Sequence, residues 1–189
     1  MYLKKIELVL KNPVKFFNQA KKEKNLKDAF FYYGFLSIIS MLGLSAVYFL
    51  AYNYSIQISY SSFLGIPSQD FNPISTYIIS LIGIFINVFI IHLFIRLFKG
   101  KGNYADSFKA FAYGSTPSLL LGWVPGVGVV FGLWSIYLII KGLSVLHKMS
   151  MVKALVAVLM IFVVLIVIGV LLAGMAYFFI SSLLQAQPI

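Results

Sequence analysis

KGKGNYADSFKAFAYGSTPSLLLGWVPGVGVVFGLWSIYLIIKGLSVLHKMSMVKA, residues 99–154, is the stretch on which the reading of the chain turns. Two basic ends enclose two apolar runs that meet at Val124-Pro125-Gly126. Lys109 and Lys141 each lie sixteen residues from Pro125. A helical hairpin bent at Pro125 therefore sets both lysines at one depth and pairs Tyr113 with Tyr137. Sixteen helical residues rise about 24 Å, a little less than the roughly 30 Å hydrocarbon core of a bilayer, so extended lysine stems reach the headgroups.

Composition names the solvent. A chain of 189 residues that is 61% hydrophobic and 11% charged, with mean hydropathy +0.95, has too little polar surface to fold as a water-soluble globule. Inside a bilayer each backbone polar group must be satisfied within its own helix, so an all-α polytopic bundle is expected. Cysteine is absent, which excludes a disulfide framework, a thiolate nucleophile and cysteine metal ligands.

The net charge of +10 is distributed in a way that argues against nucleic acid. Eight basic residues fall within 1–28, four more are Arg96, Lys99, Lys101 and Lys109, and the last three are Lys141, Lys148 and Lys153. None falls within 53–73, at the Pro125 turn or within 181–189. Alternation of all-basic and non-basic connections is what the positive-inside bias produces in a chain that crosses the membrane an odd number of times. The N-terminus is then cytoplasmic, the C-terminus outside, and the inner face meets anionic lipid headgroups.

In chain order, Leu3, Ile6, Leu10, Val14 and Phe17 recur at helical steps among lysines, and Asn12-Pro13 offers a cap and a first-turn proline. Residues 1–28 thus read as an amphipathic interfacial segment broken at Asn12, lying on lipid or docking a cytoplasmic protein. Five spans follow, at about 29–52, 74–98, 107–124, 128–146 and 154–180, with a short outer tail at 181–189. The outer loop 53–73 alternates Tyr54, Ile56, Ile58 and Tyr60 like a short strand, and Asn53-Tyr54-Ser55 matches a glycosylation acceptor. Gly169 and Ala173 form a small-residue pair in the last span, suited to packing on another span or on a second copy.

Few residues carry chemistry. Asn87 falls near the middle of the second span, with His92 and Arg96 on one face near its inner end. His92 is expected as a buried hydrogen-bonding residue and Arg96 as a cation reaching the inner headgroups. Asp106 is expected to balance Lys109 and Lys141 together. Pro117 should kink the third span, leaving carbonyls for Ser and Thr hydroxyls to satisfy. Gly114 to Ser118, with Asn87, Ser40, Ser135 and Tyr137, would then form a polar layer at mid-depth.

Asp106, Tyr113-Gly114-x-Thr116-Pro117, Pro125, Trp134-x-x-Tyr137-Leu138, Gly142-Leu143, His147 and Lys153-Ala154 together resemble the Yip (Ypt/Rab-interacting protein) domain family in its prokaryotic branch. The Asn12-Pro13-x-x-Phe16 start and the Gly-Lys-Gly loop before Asp106 are similar too. The resemblance implies five spans and a cytoplasmic N-terminus. Eukaryotic relatives interact with small prenylated GTPases and act in vesicle traffic or membrane shaping. This chain has no long acidic or proline-rich N-terminal region, so GTPase binding is not carried over.

Three functional classes are weighed. A non-catalytic scaffold or adaptor would work through the basic inner face. A small-molecule transporter or channel would use the polar layer, although no ionisable residue lies at mid-depth. An enzyme is disfavoured, because two histidines and no intramembrane carboxylate make no metal set, acid pair or hydrolase triad, and no cofactor motif is present.

Overall fold

The computed structural model describes residues 2–23, 25–53 and 72–185. Among them are eight helices and no strand: α1 (Tyr2–Lys11), α2 (Pro13–Ala20), α3 (Lys27–Asn53), α4 (Pro73–Leu97), α5 (Tyr104–Gly114), α6 (Thr116–Leu121), α7 (Gly128–Leu146) and α8 (Met151–Gln185). The strand-like alternation expected at 54–60 and the Asn53-Tyr54-Ser55 acceptor fall, wholly or in part, outside these residues. Three stretches, Lys27–Leu50, Pro73–Leu97 and Gly128–Leu146, are long and apolar enough to cross a membrane. The tail expected from 181 is helical through Gln185.

The breaks have local causes. Asn12 accepts the Lys15 amide at 3.1 Å and Pro13 opens α2, so the expected break at Asn12 is present. Asn72 caps α4 in the same way, ahead of Pro73. Asn103 and Asp106 form a capping box at the start of α5, each side chain accepting the other's amide. Lys99 and Lys148, both with positive φ, follow the C-terminal ends of α4 and α7.

The centre is the pair α5 and α7, folded back on each other through α6 and a turn at 122–127. Gly114 lies against the backbone of Ile139, so close that a Cβ there would stand 2.8 Å from the Ile139 nitrogen. Ser118 meets Ser135. Both pairs are centred between Gly126 and Val127, not on Pro125. The left-handed residue of the turn is Gly126, at φ +80°. This shift corrects the expected register: Tyr113 is fully buried and Tyr137 nearly half exposed, so the two do not pair. Lys109 is buried too, whereas Lys141 reaches the Met151 sulfur at 3.5 Å, so neither the equal depth nor the snorkelling of Lys109 holds.

The stretch 107–124, expected as the third span, is not one helix. It breaks at Ser115, with Pro117 in the first turn of α6. The Tyr113 carbonyl, which Pro117 leaves without an amide, accepts the Thr116 hydroxyl as expected, while Ser115 and Ser118 donate to the Phe111 and Ser115 carbonyls, which also accept backbone amides. The Ser118 amide, without a helical acceptor, donates to Ser135 Oγ of α7 at 2.8 Å. Around this pair stand α3, α4 and α8, and α1–α2 folds over one end.

Candidate functional site

The amphipathic stripe of the N-terminal arm is divided in use. Leu3 and Val14 are exposed, but Phe16 and Phe17 are buried by the chain's own helices. Phe16 stands edge-on to Tyr113, ring centres 4.9 Å apart. Phe17 fills the space over Gly142, where an added Cβ would come within 2.7 Å of its ring and 3.1 Å of Ala110. The apolar face expected on lipid is therefore spent, at α2, on protein.

Under this arm lies a polar cluster. Lys5 Nζ donates to Glu23 Oε1 at 2.7 Å and to the Tyr113 hydroxyl at 3.0 Å. Tyr113 donates to Glu23 Oε2 at 2.8 Å. Lys109, 2% exposed, donates to the Glu23 carbonyl at 2.6 Å and lies 3.6 Å from Asp106 Oδ1. Thr116 already donates to Tyr113, so the Tyr32 hydroxyl is the donor in its 2.8 Å bond to Thr116. A buried ammonium is tolerable because a carbonyl and a carboxylate meet it. The cluster ties α1, the α2–α3 connection, α3, α5 and α6 into one block.

Beside it lies a second cluster. The Ser107 hydroxyl, fully buried, stands 2.9 Å from His92 Nδ1 and 2.9 Å from His147 Nε2. His92 makes the hydrogen bond expected of it but is half-buried rather than buried, and its partner is a serine that the sequence reading passed over. The signal available was two histidines with no carboxylate to satisfy them. His147 is fully buried, and its Nδ1 has no partner. Burial first, then the nearby cations, pushes the His147 imidazole down to about 4, with Asp106 acting against them. Gly102 presses on its ring, Gly100 lies against Ile95 and the His147 Cβ, and the Lys101 amide donates to its carbonyl at 3.0 Å.

The remaining candidates do not converge. Asp106 serves the capping box and Lys109, and among the described residues Lys141 makes no ion pair with it. Asn87 is exposed and donates to Gly83 of its own helix at 2.8 Å, so it does not join the layer at Thr116 and Pro117. Trp134 stacks on Phe131 and, with Tyr137, faces outward from α7. Arg96 and Pro125 are exposed.

The exposed cations Lys15, Lys21, Lys22, Arg96, Lys99, Lys101, Lys148 and Lys153 surround the two clusters. The contacts of Glu23 with Lys109 and of Lys101 with His147 place their segments at one end of the bundle. Among the described residues no group of three or more His, Cys, Asp or Glu is arranged to hold a metal. The site is built to fasten an arm and display positive charge. No curated protein and no solved structure gives a match to the chain. A family model described as the Yip1 domain matches residues 8–186, nearly the whole length, and the chain belongs to that family.

Proposed function

We propose that this Yip1-domain protein is a five-span integral membrane protein of a prokaryotic cell membrane, acting without catalysis as a scaffold or adaptor. The spans are α3, α4, the broken pair α5–α6, α7 and α8, with the N-terminus cytoplasmic and the C-terminus outside. The carrying observation is the arm: it is held by Lys5, Glu23, Tyr113 and Lys109 at the end of the bundle that displays the cations. That end offers anionic headgroups a basic surface and a cytoplasmic protein a fixed platform. Exposed Gly169 and Ala173 on α8 leave room for a second copy.

Because the chain lacks cysteine, single thiols report topology directly. An impermeant maleimide applied to intact cells should label Val127→Cys and spare Lys101→Cys and Lys148→Cys; the opposite pattern rejects the orientation. Crosslinking from the inner face should recover a protein whose yield falls when Lys4, Lys11 and Lys15 are changed to Glu. Recovery of lipid alone rejects the adaptor role.

A further inference from the structure

The His92, Ser107 and His147 cluster joins three elements at the basic end: α4, α5 and the corner between α7 and α8. One hydroxyl carries one proton. With both imidazoles neutral, one ring donates N–H to Ser107 Oγ and the other accepts its O–H, so both 2.9 Å bonds are made at once. A proton added to His147 can leave both bonds in place, its Nε2–H donating to Ser107 Oγ and the Ser107 O–H donating to His92. It also makes Nδ1 a donor, and Nδ1 is buried with no hydrogen-bond partner among the described residues.

We propose that this bridge is an acid-released clasp: protonation of His147 parts the loop 98–103 from the corner 147–150 and moves the basic residues each carries. The contacts that would open are specific. The loop is held by the Lys101 amide on the His147 carbonyl, and by Gly102 against the ring, where an added Cβ would stand 2.7 Å from His147 Nδ1. Lys99, Lys101 and Lys148 ride on these segments. The charged groups that face His147 are Asp106 from α5, His92 and Arg96 from α4, and Lys21 from the end of α2, with Lys148 next in the chain. Only Asp106 favours the added proton, and its carboxylate is already engaged by the Asn103 amide and Lys109. Release of the clasp, rather than a local adjustment, is the route by which a charged His147 regains water.

The chain has two histidines, so full-length protein with isotope-labelled histidine in micelles gives two imidazole signals. The signal that disappears in His147→Gln should titrate near pH 4, and Ser107→Ala should shift its midpoint. Spin labels on Lys101→Cys and Lys148→Cys should separate over the same pH interval, and should not do so in His147→Gln. Should His147→Gln fail to fold, Ser107→Ala carries the test, because its labels should separate with a midpoint different from the parent's. A His147 signal titrating at an ordinary histidine pH overturns the proposal. So does a label separation indifferent to pH, or one unchanged in midpoint by Ser107→Ala.

Discussion

Gly114 and Gly142 decide how near their neighbours come to α7 and α5. At Gly114 the obstacle to a side chain is the Ile139 backbone, which cannot rotate away. Gly114→Ala should therefore cost about 1–3 kcal/mol, as overpacking does, read as a lower unfolding midpoint in mixed micelles. At Gly142 the obstacle is the end of the Phe17 ring, which can shift. Gly142→Ala should cost less, and Phe17→Leu placed on top of it should return part of the loss. Proportionate losses at both positions, with no recovery in the pair, would mean that the backbone approach is not the constraint. Ser135→Ala tests a different physics at the same scale. It leaves the half-buried Ser118 amide without its acceptor, and should cost about 1 kcal/mol.

The N-terminal arm is an element whose attachment rests on a few long-range bonds. Tyr113→Phe removes a donor from Glu23 and an acceptor from Lys5 while keeping the ring against Phe16. The arm should open more often, and trypsin should cut at Lys15, Lys21 and Lys22 several-fold faster than in the parent. Equal rates would show that apolar packing alone holds it. The existence of α1, α2 and their break was legible because a cap and a proline act locally. The docking was not, since Lys5 and Tyr113 are 108 residues apart and nothing in either neighbourhood specifies the other. The hairpin was legible as an element but its register was not. A proline marks where a helix cannot continue, whereas the corner belongs to the residue that takes positive φ, and that is Gly126. Symmetry about Pro125 consequently misplaced Lys109, Tyr113 and Tyr137 together. Asn87 misled for another reason: depth along a helix follows from counting, but facing depends on which neighbours arrive.

At the scale of the whole molecule, the burial of a neutral imidazole makes stability depend on pH in a definite direction. Burial pushes the His147 imidazole from the ordinary 6.5 down to about 4 in the folded chain. Between those values the unfolded chain binds the proton and the folded chain does not. Folding is then opposed increasingly as pH falls: the contribution is fully present above 6.5, declines through the interval, and levels off below 4. The carboxylates add their own acid dependence, so the comparison must be a difference between two proteins. Unfolding free energies of the parent and His147→Gln, measured in micelles from pH 7.5 to 4, should converge or cross by on the order of 3 kcal/mol as the pH drops. The parent should be the one that loses ground. Parallel curves would mean that His147 is hydrated or already charged in the folded chain, and Gly102 pressed on its ring would then need another explanation.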